Sequence, residues 1–164
     1  MQDIETERLL LHVNSLEEME RSMLNGDEMS MDFYHAYKYH EENEQGYDLE
    51  WCRLWDFYLK DSNSVIGGAC FKGQPNEKGE VEIGYGIDEE YQNYGYATEA
   101  IGALIDMAKQ NTGVKKILFE IEHDNYPSLR VAQKLNAEFI YAVDHMKWYG
   151  MLLLHLIILR GAVI

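Results

Sequence analysis

Proline and cysteine each occur only twice in these 164 residues, and basic side chains are outnumbered by acidic ones, 14 to 29. Each shortage excludes something. Two cysteines, Cys52 and Cys70, are too few to staple a fold of this length, so the core has to come from packing in a reducing setting. The net charge of −15 disfavours nucleic acid or an anionic membrane as partner, because their phosphates would be repelled. No hydrophobic run reaches the roughly 18–20 residues that span a bilayer. The longest, Met151–Leu159, is broken by His155 and reads as part of a buried strand. Met1–Arg8 is polar and charged, unlike a signal peptide, so a cytoplasmic chain is expected. No metal is expected either: His35 and His40, five apart, lie about 140° apart around a helix and cannot easily share a ligand sphere. Repeats, linkers and low-complexity stretches are absent.

What is present is ordinary globular material, with 46% hydrophobic and 26% charged residues, and it reads as one domain over residues 1–164. Arg8–Val13 is a first strand. Leu16–Leu24 is a short helix with Ser15 as N-cap and Gly26 at its end, and Asp27–Asn43 is a poorly patterned helix. Trp55–Lys60 and Ser64–Lys72 are strands joined by a polar turn. Further on come a strand at Lys115–Glu122, a helix at Asn125–Leu135, a strand at Glu138–Val143 and a last strand at Lys147–Leu159, bent at Gly150. Strands outnumber helices and a strand–helix–strand unit sits in the middle, which is the pattern of a mixed α/β sheet with helices packed on it.

That middle unit, Glu80–Asn111, organises the rest. Val81, Ile83, Tyr85 and Ile87 alternate with polar or glycine positions, as a half-buried strand does. From Ala97 the period changes, and Ala97, Ile101, Leu104, Ile105 and Ala108 fall on one helical face. Between them lies Gln92-Asn93-Tyr94-Gly95-Tyr96-Ala97. A turn that opens a helix leaves about four backbone N–H groups without intrahelical partners, aimed at any anion that approaches. The common phosphate loops do not fit here. A P-loop needs Lys-Ser/Thr after its last glycine, and the dinucleotide fingerprint needs a third glycine where Glu89 stands.

The stretch resembles instead the acetyl-CoA signature of the GNAT N-acetyltransferases, Gln/Arg-x-x-Gly-x-Gly/Ala, with Gln92, Gly95 and Ala97 at the fixed positions. TERLLLH at Thr6–His12 and DNYPSLRVAQKLNAEF at Asp124–Phe139 are similar to the first strand and a later helix of the ribosomal-protein-alanine acetyltransferase-like branch. The resemblance implies a single-domain GNAT fold. Its six- to seven-stranded, mostly antiparallel sheet would be flanked by about four helices and splayed between the two central strands. It also implies acetyl-CoA as cosubstrate, with its pyrophosphate on the N–H groups of Gln92, Asn93, Tyr94, Gly95, Tyr96, Ala97 and Thr98. The backbone N–H near Ile87 would polarise the thioester carbonyl, and Asn125 would lie beside the pantetheine arm.

Two residues carry catalytic expectations. Glu82, on the strand face opposite Val81 and Ile83, stands where some relatives carry a general base; a strand glutamate paired with a nearby lysine is the bland alternative. The resemblance to that branch implies that Ser128 would protonate the departing thiolate, the alternative being that the thiolate takes its proton from water. Asn125 also reads simply as an N-cap. Many relatives use a tyrosine seven residues after this asparagine, but that position is Ala132, so Ser128 is the candidate acid and Tyr126 a second. Asn136-Ala137 replaces the family's Gly-Phe, a change that asparagine's tolerance of the left-handed conformation permits. Phe33–Tyr58 holds nine of the twenty aromatics, and residues 1–50 hold fourteen acidic against three basic side chains. Together they are either core plus solvated surface or a rim for a cationic amine. The expected activity is acetyl transfer by direct attack of a primary amine, a small cation or a protein N-terminus, with homodimerisation left open. A non-catalytic acyl-CoA-binding or interaction domain of the same fold is the alternative.

Overall fold

A computed structural model of the protein describes residues 1–153. The chain forms, in order, β1 (Ile4–Glu5), β2 (Leu9–Val13), α1 (Leu16–Leu24), α2 (Glu28–Asn43), β3 (Leu54–Leu59), β4 (Ser64–Phe71), β5 (Glu80–Ile87), α3 (Tyr96–Ala108), β6 (Lys116–Glu122), α4 (Tyr126–Lys134), β7 (Glu138–Val143) and β8 (Met146–Leu152). They build one eight-stranded sheet in the order β1-β2-β3-β4-β5-β6-β8-β7, flanked by the four helices, a mixed α/β fold. Six or seven strands were expected. The additional one is β1, whose two residues pair with Leu10 and Leu11 and are too short to show any periodicity.

Local signals explain most boundaries. Ser15 starts α1 with a full capping box, its hydroxyl accepting from Glu18 N–H while the Glu18 carboxylate accepts from Ser15 N–H. Gly26 follows the helix with φ +93. Asn136 ends α4 in the left-handed region at φ +61. The irregularity expected at Gly150 belongs to its neighbour. Strand β8 runs through Gly150 without a break, whereas β7 shifts register between Phe139 and Tyr141. A Cβ at Gly150 would stand 2.7 Å from Ile140 Cδ1, the tip of a partly exposed side chain that could turn aside. The apolar run Met151–Leu159 supplies the end of β8 and the buried Leu153, and its residues 154–159 lie outside the described residues.

The main core lies between the sheet and α3, where Ile101, Leu104 and Ile105 meet Phe57, Phe71, Ile117 and Phe119. Full burial of side chains of this size is worth about 1.5–3 kcal/mol each. Ala97, expected on this face, is replaced there by Ala100, because the first turn of α3 sits at the sheet's rim. On the opposite face, a smaller cluster of Met19, Leu54 and Cys70 lies under α1 and α2. Aromatics of the Phe33–Tyr58 segment are scattered rather than gathered into a cage. Trp51, Trp55 and Phe57 are buried in the main core, Phe33 and Tyr34 pack on the smaller cluster, and Tyr47 stacks on His40.

One feature of the sheet prepares a site. All neighbouring strands are antiparallel except β5 and β6, which run parallel across the α3 crossover. Their pairing covers only Glu80–Lys116, Val81–Ile117 and Glu82–Leu118. Beyond Glu82, β5 stays with β4 out to Ile87 while β6 stays with β8 out to Glu122. The sheet therefore opens as a wedge between Ile83–Ile87 and Phe119–Glu122.

Candidate active site

The wedge opens into a cleft of about 260 Å³ with three walls. From β5 come Tyr85, Gly86 and Ile87; from the turn and the start of α3 come Gln92, Asn93, Gly95, Tyr96, Ala97 and Thr98; from α4 come Asn125, Ser128, Arg130 and Lys134. Two backbone features point into it. Asp88 N–H bonds Ile66 O, so Gly67 and Ile87 face each other as a non-hydrogen-bonded pair. By antiparallel alternation the N–H groups of Ile87 and Tyr85 then turn away from β4, into the wedge. The second feature is the start of α3. Gly95 is its N-cap at φ 88, ψ 2, and has no side chain to cap the first turn; the first helical bond is Glu99 N–H to Gly95 O. The N–H groups of Tyr96, Ala97 and Thr98 are thus left for a ligand, with the positive end of the helix dipole behind them.

The backbone alone calls for glycine at position 95. A Cβ there would lie 3.5 Å from Arg8 Nη2, an ordinary contact, but φ +88 is a conformation that other L-residues adopt at a cost. Asn93, at φ +67, shares the left-handed region with it. Gln92 closes the turn from below, its Nε2 donating to Ile87 O at 2.9 Å. The turn is held from outside by residues that sequence reading passed over. Arg8 Nη1 donates to Tyr94 O at 2.9 Å, and its guanidinium stacks 4.5 Å from the Tyr96 ring centroid. Glu99 receives Thr6 Oγ1, Arg8 N–H and Arg8 Nε at 2.6, 2.8 and 2.7 Å. Burial works against the charged form of Glu99, yet these bonds and the Arg8 charge hold its carboxyl below the ordinary range. The TERLLLH segment was visible in sequence, but only the fold brings its Thr6 and Arg8 against α3.

Not every expected residue faces the cleft. Tyr94 is 64% exposed, with its ring against Tyr96 and outside the cleft wall. Tyr126 is 61% exposed and Ala132 is fully buried. Asn125 caps α4, its Oδ1 accepting from Ser128 N–H at 3.0 Å. Ser128 Oγ lies 2.9 Å from the hydroxyl of Tyr85, which also donates toward Ser128 O at 3.3 Å. Tyr85 was hidden in sequence because it alternates in phase with Val81 and Ile83 and so reads as core. It is half-buried, and burial pushes its hydroxyl pKa up while its tip reaches the cleft where the wedge begins.

Glu82 occupies the other face of the sheet. Its carboxylate pairs with Lys72, whose ammonium also reaches Glu120 at 3.0 Å. Burial pushes the Glu82 pKa up, and Lys72 opposes part of that rise. The same Lys72 borders a second, more open hollow of about 830 Å³ beneath α2, whose walls include Asp32, His40, Tyr47 and Glu77. Glu82 is the last β5 residue paired with β6, so its backbone stands at the apex of the wedge, while its side chain, on the Lys72 face, lines neither the cleft nor the hollow. Cys70 is buried, its thiol pKa raised by that burial, as suits a packing residue. Among the described residues no group of histidine, cysteine and carboxylate side chains could hold a metal ion. Nor is any described helix long and apolar enough to cross a membrane.

Known proteins share this architecture. The chain is 32% identical over 117 residues to the uncharacterised N-acetyltransferase YjdG of Bacillus subtilis, covering 68% of this chain and 67% of that one. It superposes on the ribosomal alpha-N-protein acetyltransferase RimL, solved in complex with coenzyme A, with a TM-score of 0.72 at 14% identity over 93% and 98% of the two chains. A GNAT-family acetyltransferase from Bacillus anthracis gives 0.63 at 19% identity over 92% and 98%. At such identities the structural likeness is one of fold. Residues 3–138, most of the chain, match the acetyltransferase (GNAT) domain, and the chain therefore belongs to the GNAT acetyltransferase family.

Proposed function

We propose that the protein transfers acetyl from acetyl-CoA to a primary amine by direct attack, without an acyl-enzyme. The observation that carries this reading is the wedge with an uncapped helix start at its mouth. Three free N–H groups behind Gly95 suit a pyrophosphate, and the inward N–H of Ile87 suits the oxygen of a thioester carbonyl, which gains negative charge as the amine adds. The amine would enter from the α2 side, past Lys72, and meet the carbonyl at the wedge apex. Glu82 would accept its proton, since an amine must be neutral to attack. The acceptor class is a small cationic amine or a protein N-terminus; RimL, whose fold is shared, is named for acting on a protein α-amine. A non-catalytic acyl-CoA-binding role is the second reading, favoured by the engagement of the Glu82 carboxylate with Lys72.

Two measurements test this. Coenzyme A at 100 times its Kd should raise Tm by mass action, about 2.7 kcal/mol of stabilisation, whereas NAD and ATP at equal concentration should do far less. Equal shifts from all three would remove the cofactor assignment. Thiol release from acetyl-CoA with spermidine and with a serine-terminated tetrapeptide then separates the readings, because binding without turnover of either probe favours the non-catalytic one.

Arg130 and Lys134 add a selectivity expectation. They stand one helical turn apart on α4, line the cleft, and form none of the protein's ion pairs with carboxylates among the described residues. In so acidic a chain, cations without carboxylate partners on a cleft wall suit an additional ligand phosphate. Wild type should bind coenzyme A more tightly than its 3′-dephospho form, and Arg130→Gln with Lys134→Gln should lose most of that preference, about tenfold in Kd. Calorimetry with the two ligands decides it, and an unchanged ratio would move the phosphate elsewhere.

A further inference from the structure

We infer that Tyr85 is a positioning residue that turns the Ser128 hydroxyl toward the departing sulfur, an inference that rests on the acetyl-transfer reading above. The two hydroxyls are 2.9 Å apart on the cleft wall, and the Ser128 carbonyl oxygen is 3.3 Å from the same phenol. This geometry admits two hydrogen-bond patterns. In one, Tyr85 O–H donates to the Ser128 carbonyl and Ser128 O–H donates back to the phenol oxygen. In the other, Tyr85 O–H donates to Ser128 Oγ, and the serine proton is released into the cleft. A serine hydroxyl has one proton to give, so only the second pattern makes it a donor to a ligand. Burial keeps Tyr85 protonated and therefore a donor. The Asn125 bond to Ser128 N–H fixes the serine backbone, leaving the side-chain rotor as the variable.

The step balances without a relay through the phenol. Glu82 takes the ammonium's first proton and passes it to water; the neutral amine nitrogen then forms its bond to the carbonyl carbon and gives up its second proton to the freed Glu82 carboxylate, which again releases it to water. The C–S bond breaks with its electron pair on sulfur. Ser128 O–H, held by Tyr85, donates a hydrogen bond to that developing thiolate. A thiolate, whose conjugate thiol is several orders of magnitude more acidic than an alcohol, can leave on a hydrogen bond alone and take its proton from water afterwards. An oxygen leaving group cannot, because an alkoxide is far more basic. Donor dependence is therefore the signature of this role.

The test compares wild type, Tyr85→Phe, Ser128→Ala and the double variant, each with acetyl-CoA and with its oxygen-ester analogue, using whichever of spermidine and the serine tetrapeptide turns over faster. Tyr85→Phe should leave the Kd for coenzyme A within about twofold and lower kcat with acetyl-CoA about tenfold. The loss should be several-fold larger with the oxygen ester, and the change should add nothing in the Ser128→Ala background. A purely structural tie between β5 and α4 would weaken coenzyme A binding and cut turnover of both donors equally. That outcome, an unchanged kcat, or additive losses in the double variant would overturn the inference while leaving the acetyl-transfer reading intact. Absence of thiol release from wild type with both probes would overturn the reading itself, and the inference with it.

Discussion

Glu82→Gln is expected to lower kcat/KM by about 10²–10⁴-fold, the usual contribution of a positioned general base. Glutamine keeps the shape of the side chain but cannot take the amine's proton. In wild type the base works only when ionised, so activity should fall as pH drops through the Glu82 pKa, and that acidic limb should vanish in the variant. The position of the limb carries a second check. Burial raises the Glu82 pKa and Lys72 lowers it, so Lys72→Met should move the limb to higher pH. Folding should suffer little from Glu82→Gln. Lys72 is 46% exposed and retains Glu120 at 3.0 Å, and a partly exposed pair of this kind is worth at most about 1 kcal/mol. Retention of the limb in Glu82→Gln would assign it to the amine's own titration. A limb that stays in place in Lys72→Met would show that the ion pair has no part in tuning the base.

Gly95→Val should weaken coenzyme A binding at least about tenfold, or 1.4 kcal/mol, and should cost the free protein about 1–2 kcal/mol of stability. Both effects come from the backbone. At φ +88 an L-residue is strained, and a β-branched one most of all. Relief of that strain rotates the peptide units whose N–H groups open α3. Gly95→Asn supplies the control, since asparagine enters the left-handed region readily and Asn93 already occupies it at φ +67. It should retain most of the affinity and stability that valine loses. Calorimetry with coenzyme A and thermal melts of the two variants test this. Equal losses in both would mean that the missing side chain, not the backbone angle, is what the turn needs.

Much of this architecture was legible in the residues. Alternation along Val81–Ile87 and the helical face of Ile101, Leu104, Ile105 and Ala108 are burial patterns, and burial is what periodicity reports. Ser15, Gly26, Asn125 and Asn136 mark helix ends because capping and left-handed geometry demand those residue types locally. Residues near one another in sequence also reach the cleft together, as those of Gln92–Thr98 other than Tyr94 do, since one turn carries them. Strand β1 escaped because two residues have no period, and Ala97 was placed in the core because periodicity assigns a face without saying where the sheet ends.

Sequence by itself therefore determined the elements, their inward faces and the turn that opens α3, all of them consequences of interactions between residues a few positions apart. Tertiary structure alone decided which distant side chains meet. It set Tyr85 against Ser128, 43 positions away, and Arg8 against Glu99, 91 positions away; it put Glu82 with Lys72 on the face opposite the cleft. It also dispersed the aromatics of Phe33–Tyr58, sending Trp51, Trp55 and Phe57 to one core and Phe33 and Tyr34 to the other while Tyr39 stays exposed. The physical reason is the break in pairing after Glu82. Where β5 and β6 part, the rule that alternate residues are simply inside or outside no longer holds, and a core-phase tyrosine acquires a hydroxyl in the cleft.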